Sequence, residues 1–182
     1  MFETVLLAML VAKIKGYKIK PLFKSWAFYP PFILTLFYIF WNITIFCGDY
    51  RFIKYAGILE KLYLLSFLAL IFNYELYKSA IIGSLSIFIG TALNKLAIAA
   101  NDGKMPAFPT LSYFTGYIKA NSFARANDIH ILGDKATKLK FLTDYIDLGY
   151  SVLSIGDVFI RFFVFIIVFN TIMQIHKKHE IM

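Results

Sequence analysis

Five blocks of apolar residues, at 2–12, 26–47, 55–72, 79–100 and 154–175, divide the chain, with short polar stretches and one long polar segment between them. Inside a block the apolar positions neither alternate nor keep to one helical face, so the blocks read as helices with apolar surroundings on most sides. An apolar bilayer core of about 30 Å takes about 20 helical residues. The second, fourth and fifth blocks reach that length and the third nearly does. The first is short, and would span only by tilting or by letting Lys13 and Lys15 snorkel. The pattern predicts an all-α membrane protein forming a single integral membrane domain over 1–182. It should have about five transmembrane helices and a helical extracytoplasmic loop, 101–153, between the last two.

Composition sharpens this picture. Of 182 residues, 59% are hydrophobic, 19% aromatic and only 16% charged, with a mean hydropathy of +0.67. A soluble domain carries about a quarter charged residues. The formal charge of +8 therefore speaks first to topology. Lys13, Lys15, Lys18, Lys20 and Lys24 share one loop without an acid, and Lys177 and Lys178 share the tail. Positive loops stay in the cytoplasm, which places the amino terminus outside, the carboxyl terminus in the cytoplasm, and the protein in the plasma membrane. The expected partner is the lipid bilayer, with anionic lipid at Lys13–Lys24, and no nucleic acid. At the amino end, Glu3 precedes the apolar run and "KIKGYKIK" follows it. That charge order is the reverse of a secretion signal, so a retained helix is expected. Trp26, Tyr29, Tyr74 and Tyr77 suit one aromatic belt, and Tyr50 and Tyr55 the other.

The 101–153 segment holds Phe108, Tyr113, Phe114, Tyr117, Phe123, Phe141, Tyr145 and Tyr150, too many aromatics for a disordered linker. "SYFTGYIKANSFAR" and "DKATKLKFLTDYIDL" each suggest a short amphipathic helix lying on the leaflet or folding back on the bundle.

Polar residues within spans are expensive, so Asn42, Glu60, Lys61, Asn94, Lys95, Asp157 and Arg161 are informative. Ser86, Gly90, Asn94, Ala97 and Asn101 recur every three or four residues and form one stripe, suited to close helix packing with Asn hydrogen bonds across it. The stripe runs into Asn101-Asp102-Gly103-Lys104-Met105-Pro106, whose Gly and Pro stop the helix. Ser154 followed by Asp157 is a capping box, and Asp157 precedes Arg161 by four residues, the spacing of a helical ion pair. The turn is expected to pack against the start of the last span, where Asn101 or Asp102 would meet Asp157 or supply acceptors to Arg161.

Familiar chemical motifs are missing: there is no Gly-rich phosphate loop, His-Glu-x-x-His helix or Gly-x-Ser-x-Gly elbow. His130 with Asp134, Asp144 and Asp147 can be drawn as a divalent-ion site, but nothing in their spacing demands one. His176 and His179 sit in the tail, and Cys47, the one cysteine, lacks a neighbouring base in the sequence. No metal, cofactor or catalytic residue is assigned.

The chain resembles a family of bacterial multi-pass membrane proteins of unknown function. The likeness rests on the short first helix with its basic loop and on an Asn-x-Gly-[Lys/Arg]-Met-Pro element at Asn101–Pro106. It rests also on a Ser-x-Gly-Asp element at Ser154–Asp157 and a Leu-x-Asp element within "LTDY" at 142–145. Asp102 stands where a small residue is more usual. The resemblance implies architecture and the position of a site, and supplies no activity. The reading is a small-molecule-binding or transport-accessory membrane protein with an outward polar site built from Asn94, Lys95, Asn101, Asp102, Gly103, Lys104, Met105, Pro106, Asp157 and Arg161. The alternatives are a structural subunit of a membrane complex, in which these residues only lock helices together, and a membrane enzyme acting on lipid-linked or envelope substrates through Asp102 or Asp157.

Overall fold

The computed structural model describes residues 1–126 and 128–181, with side chains as far as Lys178. Its helices are α1 (Phe2–Ile14), α2 (Tyr29–Phe46), α3 (Ala56–Ser66), α4 (Leu68–Asn73), α5 (Tyr77–Ala100), α6 (Leu111–Phe114), α7 (Ser122–Ala126) and α8 (Ile155–Ile181). Among the described residues four apolar stretches are long enough to cross a membrane: Trp26–Phe46, Ile53–Asn73, Tyr77–Ala100 and Ile155–Lys178. The first block forms α1, whose 13 residues make a rod of only about 20 Å. Large apolar side chains stay uncovered on these helices, among them Ile33 (61%), Ile81 (71%) and Phe88 (71%). Such surfaces are stable against lipid and costly against water. The four apolar helices fit a membrane protein.

The fold divides into two compact units. The first comprises Met1–Ile39, Gly57–Ile87 and Arg161–Met182. Its core is mostly apolar: Val5, Ala8 and Ala12 of α1 join Tyr63, Phe67, Leu70 and Ile71 of the α3–α4 stretch and Val164, Ile167, Val168 and Ile172 of α8. Two of its polar groups find partners within the unit. Thr35 Oγ1 bonds the Pro31 carbonyl at 2.7 Å and meets the Tyr63 hydroxyl at 3.2 Å. Asn170 Nδ2 donates to Ser79 Oγ at 3.0 Å, joining α8 to α5.

The second unit comprises Phe40–Ala56 and Phe88–Ile160. Here α5 and the start of α8 approach so closely that only glycine fits. A Cβ on Gly156 would overlap Asn94 Oδ1 and the Gly90 carbonyl, and a Cβ on Gly90 would strike the Gly156 carbonyl. The small-residue stripe thus does what its spacing suggested at Gly90 and Asn94.

The 101–153 segment departs from expectation. The two amphipathic helices are not formed: α6 and α7 are single turns of 4 and 5 residues, separated by Gly116 at φ +77. Residues 134–148 hold only a 3-10 turn at Lys140–Leu142, entered through Leu139 in a left-handed conformation, before going extended. Strand partners take the backbone groups a helix would have used. These are β1 (Met105–Ala107), β2 (His130–Leu132), β3 (Ile146–Asp147) and β4 (Val152–Leu153). Nor are all the aromatics covered: Tyr113, Phe114, Phe141 and Tyr145 are exposed, Phe114 by 89%.

We expect Gly156→Ala to lower the thermal midpoint of the detergent-solubilised protein by several degrees, as overpacking by one methyl costs about 1–3 kcal/mol. Gly57→Ala, where an added Cβ meets nothing, should cause no fall. Equal midpoints for the two variants would contradict the close approach.

Candidate functional site

The chain leaves α5 through a turn that satisfies its last carbonyls. Asn101 and Gly103 both donate backbone N–H groups to the Ile98 carbonyl, at 3.1 and 3.0 Å, and Lys104 N–H bonds the Asn101 carbonyl at 2.9 Å. Reversal takes two left-handed residues, Asp102 at φ 54 and Gly103 at φ 78. Gly tolerates that conformation freely, and Asp is among the few other residues that do. The Asn101 side chain then clamps a distant loop: Nδ2 donates to the Ala97 and Lys138 carbonyls at 2.8 and 2.9 Å, and Oδ1 accepts from Lys138 N–H at 2.9 Å.

The turn delivers β1 between two partners. On one side β1 pairs in parallel with β2, Met105 opposite His130. On the other, Ala107 forms a parallel bridge with Asp144. Asp144 N–H donates to the Pro106 carbonyl at 3.1 Å, and Phe108 N–H to the Asp144 carbonyl at 2.7 Å. The missing N–H of Pro106 falls on that second side, where the bridge is one residue long and little is lost. Met105 anchors the arrangement in a small core with Ala97 and Leu142.

Three short segments therefore converge on a cluster of ionisable groups. His130 Nδ1 lies 2.7 Å from Asp128 Oδ2, and Asp128 Oδ1 also takes the His130 backbone N–H at 2.9 Å. His130 Nε2 stands 3.5 Å from Asp144 Oδ2. The Asp144 side chain is 6% exposed and that of His130 is 41% exposed, so the imidazole is the cluster's open face. Burial and the nearby Asp157 charge raise the Asp144 pKa to about 7, against the lowering effect of His130. Burial opposes protonation of His130, but the Asp128 hydrogen bond and the charges of Asp128, Asp144 and Asp157 outweigh it and raise its pKa. Asp128 is depressed in turn, its burial outweighed by the bond to His130.

A bracket between α5 and α8 fixes Asp157. Asn94 Nδ2 donates to Asp157 Oδ1 at 2.9 Å, and Ser154 Oγ donates to Asn94 Oδ1 at 2.7 Å. The capping box closes it, Asp157 N–H bonding Ser154 Oγ at 2.9 Å and Ser154 N–H bonding Asp157 Oδ2 at 3.0 Å. β3 and β4 pair antiparallel, and Tyr145 N–H bonds the Leu153 carbonyl at 3.1 Å, so the residues flanking Asp144 and Ser154 are bonded to each other.

The expected site residues thus separate. Asn94 and Asp157 are joined directly, and Asn101, Gly103, Met105 and Pro106 shape the strand that pairs with both the Asp144 and the His130 segments. Lys95 and Asp102 are exposed, and Lys104 Nζ reaches the Asp128 carbonyl at 3.5 Å. Arg161 pairs with Glu3 of α1 while its buried Nε makes no hydrogen bond, and Asn101 finds its partners at Ala97 and Lys138, so the turn and Arg161 do not meet as expected. The drawn ion site is also redistributed. Asp134 bonds its own turn at Ala136 and Thr137. Asp147 accepts the N–H groups of Thr110, Ser112 and Gly149 at 2.7–2.8 Å, capping α6; these bonds, with the Ser112 hydroxyl, outweigh burial and hold its carboxyl below the usual range. Among the described residues no three His, Cys, Asp or Glu groups are placed to hold a metal ion. His176 packs on the Tyr17 ring with centroids 5.1 Å apart, and the His179 side chain lies outside the described residues. Asp128 is the participant sequence reasoning missed, although its place two residues before His130 allows a local hydrogen bond.

Comparison with known proteins identifies the chain as belonging to a family of unknown function, DUF5317, whose match covers residues 19–169. No curated protein and no solved structure matches it.

The electrostatics carry a pH signature. A carboxyl with a folded pKa above its unfolded value holds its proton more tightly in the native state. Its contribution is full at low pH and is lost as pH rises from about 4 to about 7. His130, raised as well, adds loss in the same direction at higher pH, whereas depressed Asp128 and Asp147 act only in acid. We expect the thermal midpoint to fall between pH 5 and pH 8, and Asp144→Asn to flatten that fall. Parallel pH curves for the wild type and the variant would contradict the assignment.

Proposed function

We propose that the protein is a multi-pass protein of the bacterial plasma membrane that binds a small polar solute at an outward-facing site, alone or as accessory to a transporter. The observation behind this reading is Asp144: a carboxyl 6% exposed, fixed at both backbone groups and held near neutral pKa between His130 and Asp157. Burying such a group costs free energy that nothing in the packing requires, and perturbed carboxyls of this kind collect at functional sites. Three carboxylates, Asp128, Asp144 and Asp157, against one imidazole favour a solute that carries an ammonium group or several hydrogen-bond donors. Asn94 and Asp157 brace the site, and Asn101–Pro106 positions it.

In this reading the Lys13–Lys24 loop and the Lys177–Lys178 tail face the cytoplasm, 101–153 faces outward, and α1 enters from the lysine side with its amino end directed outward. Five spans result if α1 crosses completely and four if it stops partway; the sides of the later loops are the same in both. A second reading, a membrane enzyme, draws on the Asp128–His130 hydrogen bond, which would orient the imidazole as a general base. It would use His130 in place of the expected Asp102 or Asp157, since both Asp157 oxygens are already bonded to Asn94 and Ser154.

Two measurements test the proposal. Labelling of cysteines placed at residues 20 and 130 should report opposite sides, and the same side for both would refute the orientation. Thermal-shift titration with ammonium-bearing solutes should show saturable stabilisation at pH 8 that weakens at pH 5.5 as Asp144 takes up its proton, and that is lost in Asp144→Asn. Equal responses of wild type and variant to every solute class would count against a binding site here. Turnover dependent on His130, without a solute that survives unchanged, would favour the enzyme.

A further inference from the structure

A second site lies in the same unit, at the loop that follows α2. Cys47, Gly48, Asp49, Tyr50, Arg51 and Arg125 line a cleft of about 450 Å³. Its charge balance is lopsided. Asp49 is the acid among these lining residues and is fully engaged: Arg51 Nε bonds both of its oxygens at 3.0 and 3.2 Å, and Nη2 bonds Oδ2 at 2.8 Å. Those hydrogen bonds hold the Asp49 carboxyl down at about 2, so it stays ionised and paired. Arg125 is held in place by its Nη2 bond to the Gly48 carbonyl at 2.8 Å and by stacking 5.0 Å over the Tyr50 ring, which leaves most of its donors unspent. Lys119 comes to the same spot. A Cβ on Gly48 would stand 3.7 Å from Arg125 Nη1 and 3.9 Å from Lys119 Nζ. Two cations thus meet over a cleft whose acid is committed elsewhere, and their repulsion is relieved by an anion.

The setting narrows the anion. Residues 47–51 join one apolar helix ending at Phe46 to the next beginning at Ile53, so this loop lies where the chain leaves and re-enters the apolar layer. Phe46, Phe52 and Tyr55 flank it, each more than 40% exposed, as suits aromatic side chains at a membrane interface. The anions that occupy that depth are lipid phosphates, and guanidinium forks match phosphate oxygens.

We propose that this cleft binds the phosphate of an anionic lipid headgroup through Arg125 and Lys119, with Arg51 and Asp49 closing its side. The site is independent of the Asp144 cluster and of the side of the membrane it faces; it rests only on the apolar helices crossing the bilayer.

Cys47, the one cysteine of the chain, is exposed and lines the cleft, so its reaction with an uncharged maleimide reports occupancy. With the full chain in vesicles of phosphatidylglycerol, labelling should be several-fold slower than in vesicles of phosphatidylcholine. Arg125→Gln should abolish the difference. Lys119→Gln, which leaves the Arg125–Gly48 bond in place, should reduce it even if the first variant fails to fold. Protection of the detergent-solubilised protein by millimolar inorganic phosphate, with no difference between the two lipids, would keep the phosphate site but overturn its assignment to lipid. Equal labelling under all conditions, or a lipid difference that survives in both variants, would overturn the proposal entirely.

Discussion

Asp144 gives its backbone N–H to Pro106 and accepts one from Phe108, while the other edge of the same three-residue strand pairs with His130–Leu132. That double pairing fixes a buried carboxyl against an imidazole. Without it, residues 134–148 would keep a short 3-10 turn and the β3–β4 pairing, but nothing would hold the Asp144 backbone against β1. The abrupt end of α5 therefore serves more than helix termination. A left-handed Asp-Gly pair turns the chain, Asn101 ties the turn to Lys138, and the Met105 side chain seals the strand onto α5. Each step is local chemistry, and the product is a non-local site.

The bracket of Asn94, Ser154 and Asp157 gives this arrangement its depth. Asn in an apolar helix must find partners, and here it finds both at the start of α8, at a crossing where Gly90 and Gly156 leave no room for a side chain. Asp157 is thereby held in place by donors, and its charge is one of the causes that raise both Asp144 and His130. The first unit is built on different terms. Its core is aliphatic and aromatic, and its buried charge, Arg161, is met by Glu3 from α1.

What the sequence made legible follows from range. Continuous apolar runs announce helices in lipid, because every window carries the signal, and four of the five blocks became helices of spanning length. The capping box and the glycine–asparagine stripe are helical spacings; the box is formed, and the stripe makes its helix contact at Gly90 and Asn94. Strands of two or three residues carry no alternation to read. "MPA" even contains a proline, which argues against a strand unless its partner is short. The parallel partners of β1 are 25 and more residues away, so nothing near Met105 points to His130. Asp144 stood within the Leu-Thr-Asp element, yet its role depends on those pairings and could not be read there. Arg161 illustrates the same limit: Asp157 at four residues was the obvious partner, and Glu3 was invisible until the fold brought α1 beside α8.

The central claim is that a buried carboxyl is poised near neutrality beside an oriented imidazole. Carbon-13 NMR of the Asp side-chain carboxyls in the solubilised protein, assigned through the Asp144→Asn variant, measures it directly. The account predicts that the Asp144 resonance titrates near pH 7, with His130 titrating above its ordinary value and shifting when Asp144 is replaced. An Asp144 resonance that titrates near 4, with a His130 curve indifferent to the substitution, would contradict it.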